Sequence, residues 1–567
     1  MDEMSCEDII YSEEYGDYII ETFDDPEVAR ELYEAQCAQV VSNRSLVLYQ
    51  RVVGNPEETL NIYGYTAMPK CYGIMDTTAL EEAGILRLRR QPYLDLYGSG
   101  VLIGIIDTGI DYLHPAFINA DGSSRIYSIW DQTVRSGSPP EGFYYGTEYK
   151  QAQIEEAISS ENPAELVPVT DESGHGTFLA GIVAGNELPE EDFSGIAPLS
   201  DLVVVKLKEA KNNLKSYYGI GERENVYQEN DIMLGIRYVQ AVAAIRRMPI
   251  VVLLGLGTNA GNHSGELQLS RYMNRSAVFP GIVMVSSAGN EGNQGHHYQR
   301  RLLEAGGRDI VEINIAEGET GVTLELWTEA PQLFTVGIRT PLGNTTGILP
   351  IWYGRGTIPI TFPLENSRVF VEYTAVETNT GDEVIVIRIL RPAAGIWRIE
   401  VVNNTEYLAS FNMWMPISGF LKSESRFLSP EPDITICEPG NARSVLTSTA
   451  YNHVDGSIYI AASRGFTSTG EIKPELAAPG VAVYGPAPGG GFTARSGTSV
   501  GAAFCAGAAA LMLEWGVVRG NNLGMQTTEV SNVLIRGADR ESNLEYPNRI
   551  WGYGKLDVYT AFGQLRP

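Results

Sequence analysis

The stretch 494–512, "ARSGTSVGAAFCAGAAALM", sets one hydroxyl-rich turn directly before a run of small apolar residues. Alanines, glycines and a single cysteine ending in Leu511 and Met512 form a helix thin enough to pass through the middle of a packed domain. Gly497 and Thr498 permit a tight turn, which puts Ser499 in the first helical turn, beside backbone N–H groups that have no intrahelical partner. Such groups favour developing negative charge. Alone, the segment fits a capping serine on a buried helix as well as a nucleophile. A catalytic serine needs a base, an orienting carboxylate and oxyanion donors, and these must come from elsewhere in the chain.

Upstream, apolar runs alternate with helical segments: "GVLIGIID" (100–107), "SDLVVVKL" (200–207), "MPIVVLLGLG" (248–257) and "PGIVMVSSAGN" (280–290). Continuous apolar runs suit strands covered on both faces, hence a parallel α/β sheet with helices on either side. The segment "NDIMLGIRYVQAVAAIRRM" reads as a helix starting at Asn230 or Asp231. Ligands gather at the carboxyl ends of strands in such sheets, where Asp107, Gly255 to Gly257 and Asn290 stand. Residues 128–168, containing "RSGSPPEGFYYG", read as a long surface excursion.

Between 305 and 428 the pattern changes to short alternating runs such as "VTLELWTE", "RVFVEYTAVE" and "GIWRIEVVN", which predict an antiparallel β-sandwich interrupting the α/β part. Residues 1–75 hold fifteen acids against four bases and mix strand-like runs ("SLVLYQRVV", "TLNIYGYTAM") with a helical stretch, "DPEVARELYEAQCAQVV". They predict a small α+β unit. The expected units are therefore 1–75, 76–304, 305–428 and 429–567.

The chain has 567 residues, too many for one core, with 44% hydrophobic and 20% charged residues, as in globular proteins. A formal charge of −29 argues against nucleic acid or anionic membrane surfaces as partners, and the apolar runs are too short to suggest a membrane span. The first residues lack the basic start and apolar core of a secretory signal. Five scattered cysteines suit reduced thiols better than a disulfide framework.

Only six histidines are available as the base. His175, in "DESGHGTFLAGIVAG", opens a helical apolar run between two glycines, and Asp107, in "IGIIDTGID", directly follows an apolar strand. Each has an ordinary structural reading, as a helix-start histidine and a turn-forming aspartate. Together with the serine segment they resemble the subtilisin-like serine proteases, the subtilase family. The resemblance extends to "SSAGNEG", "SGIAPLSDLVVVKL", "ELAAPGVAVYGP" and "WGYGKLDVYTAF". It implies Asp107 as the orienting acid, His175 as the general base, Ser499 as the nucleophile and Asn290 as the side-chain oxyanion donor. Gly255, Leu256 and Gly257 would be the edge that pairs with the substrate backbone. Ala503 and Phe504 stand where the family usually has Pro and His after the nucleophile, and the interval from Asp107 to His175 is longer than in compact members. Neither departure removes a reacting atom.

Residues before about 76 look like the family's propeptide, which chaperones folding and occupies the cleft. Self-cleavage is then expected within "KCYGIMDTT" (70–78), around Met75 and Asp76. No export signal, a propeptide and a sandwich inserted after the oxyanion Asn together resemble the Csp germination proteases of clostridial spores. In that group the insert is a jelly roll and the substrate is the precursor of a cortex-degrading hydrolase. The resemblance implies a cytoplasmic or spore-associated location, a protein or peptide substrate and no cofactor. Calcium often stabilises subtilases, but no acidic loop here has ligand spacing. An inactive binding or signalling module, since that group has inactive members, and a general intracellular scavenging protease stay open as alternatives. Among smaller signals, His114 reads as a local hydrogen-bonding residue, His296 and His297 as exposed, and Cys505 as a small core residue.

Overall fold

The structure, a computed structural model, describes residues 5–22, 25–52, 64–74, 83–89, 94–223, 225–351 and 357–565. An eight-stranded sheet lies at the centre, in the order Leu476–Pro479, Leu446–Tyr451, Ile282–Ser287, Ile250–Leu254, Leu102–Asp107, Asp201–Lys206, Ile126–Asp131, Thr147–Lys150. Every pairing is parallel except the last, between Ile126–Asp131 and Thr147–Lys150. The unbroken apolar runs follow from double-sided burial. In the strand Leu102–Asp107, Ile103 and Ile105 pack into one core with the helices His175–Ala184 and Thr498–Leu513. Leu102 and Ile106 pack into the opposite core with the helices Glu229–Arg246 and Gln268–Ser276.

Thr498–Leu513 is buried along its whole length, and its small residues are what lets it fit. A Cβ on Gly507 would lie 2.4 Å from Ile196 Cγ2, and one on Gly501 would lie 2.4 Å from the Thr449 carbonyl oxygen. Extended to Val518, this helix is long and apolar enough to cross a membrane, but 89% of that window is buried inside the fold, which makes it a core helix.

Two antiparallel sheets, of six and five strands, face each other between His297 and Phe427 around a core that holds Trp397. The first of these strands, His297–Leu303, lies ahead of residue 305 and pairs with Ala409–Trp414. At the other end of the chain, Tyr15–Glu21, Ser45–Arg51 and Cys37–Ser42 form a three-stranded sheet. Its residues Ile19, Val47 and Tyr49 share a core with Ile232 and Met233 of the helix Glu229–Arg246.

Several expectations are corrected. Residues 128–168 are not a loose excursion: they build the sheet's antiparallel edge and a helix, Gln151–Ile158. Only Pro26–Leu32 of the stretch 25–41 is helical; Glu34, at φ 53°, turns the chain into the strand Cys37–Ser42, where Val40 and Val41 suit extended backbone. The long helix starts at Glu229 instead of Asn230 or Asp231. Cys6 and Cys37 form a disulfide, because the helix Cys6–Tyr11 packs against the small sheet, a proximity that scattered spacing does not reveal. Cys71, Cys437 and Cys505 are free and buried.

Candidate active site

The candidate residues meet at the carboxyl end of the strand Leu102–Asp107, where Asp107 closes that strand and His175 and Ser499 open their helices. Asp107 is the last residue of its strand, and its Oδ1 accepts from the Thr108 N–H at 2.8 Å and from His175 Nδ1 at 2.7 Å. The carboxylate is an acceptor, so the imidazole proton sits on Nδ1 and Nε2 presents its lone pair. Nε2 lies 3.2 Å from Ser499 Oγ. Asp107, His175 and Ser499 are all buried.

His175 is the first residue of its helix, and the preceding Gly174 has the left-handed φ of 73° that starts it. At Gly176 a Cβ would come within 2.2 Å of the Gly109 carbonyl oxygen, so only glycine lets this helix approach the aspartate strand. Asp171 holds the helix start in place. Its Oδ1 accepts from the Gly174 N–H (2.9 Å) and the Thr108 hydroxyl (2.6 Å), and its Oδ2 from the Thr177 N–H (2.8 Å) and hydroxyl (2.7 Å). Sequence reasoning passed over Asp171; the available signal was an acid placed to cap a helix four residues before the histidine.

Ser499 is the second residue of its helix. Asn290, in the loop after the strand Ile282–Ser287, reaches the same helix start: its Oδ1 accepts from the Thr498 N–H at 3.1 Å and the Thr498 hydroxyl at 3.3 Å. That fixes the amide with its NH2 end turned away from the helix. Gly255 borders the pair, since a Cβ on it would lie 3.1 Å from His175 Cε1 and 3.3 Å from Ser499 Cβ.

The edge Leu256–Gly257 is occupied by the chain itself. The strand Cys71–Ile74 runs antiparallel to it, with Ile74 opposite Leu256 and Gly73 opposite Gly257. On its other side the same strand pairs with Tyr227–Gln228, Cys71 opposite Gln228 and Tyr72 opposite Tyr227. An extended peptide held between two edges by main-chain hydrogen bonds is a common mode of peptide recognition. Met75 and Asp76 lie outside the described residues. Among the described residues, no three His, Cys, Asp or Glu side chains gather as a metal site would need.

The remaining histidines divide. His114 accepts from the Ala116 N–H through Nδ1 (3.1 Å) and donates from Nε2 to the Gly491 carbonyl (2.8 Å), a local structural role. His296 and His297, expected at the surface, are buried because the sandwich starts at His297 and closes over them. His297 stacks on Trp414 with centroids 4.8 Å apart, and burial pushes its imidazole down to about 4. His263 stacks on the same Trp414 at 4.3 Å and is pushed down by burial to about 3. His296 meets Glu291, a partner that the local sequence does not advertise. Cys505 is buried in the core helix, where desolvation raises its thiol to about 12.

The Subtilase family description matches the chain over residues 98–302 and 426–554, passing over the sandwich. The chain is 34% identical over 126 residues to Subtilisin-like protease SBT2.2 of Arabidopsis thaliana, covering 19% of this chain and 15% of that protein. It is 27% identical over 208 residues to the Thermostable alkaline protease of Halalkalibacterium halodurans, 36% of this chain and 40% of that one. It thus spans less than half of either relative. The Major intracellular serine protease of Bacillus subtilis is 25% identical over 280 residues, 49% of this chain and 69% of that protein. Among solved structures, the Clostridium perfringens CspB protease superposes with a TM-score of 0.76 at 29% identity, covering 85% of this chain and 96% of that one. With the matched residues spanning more than half of its length, the chain belongs to the subtilase family of serine endopeptidases, and it resembles the Csp proteases in particular.

Proposed function

We propose that the chain is an active serine endopeptidase that first cuts itself after Met75 and then activates a protein precursor by limited proteolysis. His175 Nε2 takes the Ser499 proton as Oγ attacks the peptide carbonyl, and returns it to the leaving amine. Asp107 holds the imidazole tautomer and stabilises its charged form. Charge on the carbonyl oxygen is met by the Asn290 amide and the Ser499 N–H at the helix start. Water then hydrolyses the ester on Ser499 by the same proton path in reverse.

One observation carries the reading: a continuous Asp107–His175–Ser499 hydrogen-bonded chain stands beside an edge to which the chain's own residues 71–74 are paired. Among the described residues the pairing reaches Ile74 opposite Leu256, and the next residue on that edge, Gly255, borders His175 and Ser499. That supports cleavage between Met75 and Asp76, with residues 1–75 as a propeptide that stays docked in the cleft. The likeness to the CspB protease supports the spore cortex hydrolase precursor as substrate and a jelly roll as the insert.

Mass spectrometry of purified wild type beside Ser499→Ala tests this, together with a fluorophosphonate probe. We expect wild type to separate into fragments ending at Met75 and starting at Asp76, with the probe on Ser499, and the variant to remain whole and unlabelled. A folded wild-type chain that stays whole and takes up no probe would favour a binding module instead.

A further inference from the structure

Glu291 follows Asn290 directly, and with His296 it forms a buried pair at the hinge where the chain leaves the strand Ile282–Ser287 for the sandwich strand His297–Leu303. Each is 3% exposed. His296 Nδ1 lies 2.6 Å from Glu291 Oε2, and Nε2 lies 3.1 Å from the Ser425 carbonyl oxygen. A carbonyl only accepts, so Nε2 carries a proton toward Ser425, and Nδ1 and the Glu291 carboxyl share the proton between them. The two form a buried hydrogen-bonded pair whose ends are further tied by hydrogen bonds.

Glu291 Oε1 accepts from the Ser418 N–H at 2.9 Å and the Ser418 hydroxyl at 2.8 Å, and Oε2 also receives the Asn259 amide at 3.4 Å. Ser418 and Ser425 lie between the sandwich strands Ala409–Trp414 and Arg426–Phe427, and Asn259 stands two residues past Gly257, the end of the peptide-binding edge. One carboxylate therefore joins the Asn290 loop to the segment that follows the edge and to two parts of the sandwich, its entry at His296 and the turn at Ser418. The loop backbone is held from below as well. The Glu291 N–H donates to Ser463 Oγ (2.9 Å), the Ser463 N–H to Gly289 O (2.8 Å), and the Gly292 N–H to Ala461 O (3.0 Å).

We propose that Glu291 and His296 are a positioning pair that holds Asn290 at the distance the oxyanion requires, so that the inserted sandwich sets the geometry of catalysis. The inference rests on Asn290 acting as oxyanion donor. Neither residue touches the reacting atoms. A side chain that acts only through Asn290 loses its effect once Asn290 is gone, and a merely structural residue does not.

The test is a double-mutant cycle on the first-order rate of self-cleavage of the full chain after refolding, with fluorophosphonate labelling of each variant alongside. Glu291→Gln should slow cleavage by about 10- to 100-fold, within the loss from removing the oxyanion donor itself. Added to Asn290→Ala, it should slow cleavage by less than about twofold further. His296→Gln, which cannot bridge Glu291 and the Ser425 carbonyl through the two nitrogens of one ring, should reproduce the cycle and serves in its place if Glu291→Gln does not refold. Cleavage by either variant within twofold of wild type, or a full loss that persists on the Asn290→Ala background, overturns the positioning role alone. A wild-type chain that neither cleaves nor labels overturns the proteolytic reading and this one with it.

Discussion

Two additions sit on the catalytic sheet, and they are fastened in different ways. The N-terminal unit shares an apolar core with the helix Glu229–Arg246 and is tied to the rest by buried polar groups as well. Lys211 is buried against Asp17 at 2.5 Å and also donates to the Tyr15 carbonyl, Tyr11 donates its hydroxyl to the Gln132 carbonyl at 2.7 Å, and Glu13 accepts the Asn212 N–H at 2.7 Å. It joins the rest by a single covalent crossing, which follows the strand Cys71–Ile74. The sandwich is crossed twice by the chain, beside Asn290, and is packed backbone to backbone: a Cβ on Gly219 would lie 2.8 Å from Gly321 Cα, and Thr323 donates to the Tyr218 carbonyl at 2.8 Å. Arg388 completes that contact over the Tyr217 ring at 4.1 Å. The first arrangement can come apart once one peptide bond is cut, whereas the second can be lost only by unfolding.

The comparison breaks most sharply if that bond is never cut. Ser499→Ala should lower the self-cleavage rate by about a millionfold, the size of loss found on removing the nucleophile of subtilisin, a relative. The check is a time course by mass spectrometry, and fragments formed by the variant at the wild-type rate would end the triad assignment. Next in size is Asp17→Ala, which leaves the Lys211 ammonium buried without its carboxylate. Breaking a buried pair from one side costs about 3–5 kcal/mol. After cleavage, residues 1–75 should elute with the rest of wild type on gel filtration and separate from it in the variant. Asn290→Ala should slow cleavage by about 10²–10³, again a value taken from subtilisin, without changing how residues 1–75 elute.

The three reacting residues were legible because each stands in a short segment whose local rules are strict. Glycine is required at Gly176 by the Gly109 carbonyl, and small residues are required at Gly501 and Gly507 by their neighbours. The parallel sheet was legible because burial on both faces leaves continuous apolar runs in the sequence. What could not be foreseen depends on distant partners. Glu291 and His296 meet acceptors and donors at Ser418 and Ser425, more than a hundred residues away. Cys6 and Cys37 meet only after the helix that starts at Cys6 folds onto the sheet whose strand starts at Cys37, a contact that sequence spacing does not reveal. The edge strand Thr147–Lys150 lacks an apolar run, because an edge leaves alternate side chains outside.

The smallest expected effect concerns the sandwich. Glu383 is buried in the strand Glu383–Leu390; its Oε2 accepts the Phe334 N–H at 2.7 Å, and its Oε1 meets no donor among the described residues. Burial raises its carboxyl to about 8, well above the usual carboxylate range. With the folded value above the unfolded one, the folded state binds the extra proton between about pH 4.5 and 8, so stability falls as pH rises through that window. Below it Glu383 is protonated in both states and costs nothing on this account. Glu383→Gln keeps an acceptor for Phe334 and removes the titration. Its melting temperature should match wild type near pH 5 within the cost of the exchange, and exceed it near pH 9 by on the order of a few degrees. Because the sandwich cannot detach, the difference should appear in unfolding of the whole catalytic unit and not in release of residues 1–75. Parallel pH slopes for the two proteins would show that the charge on Glu383 is satisfied in the folded state after all.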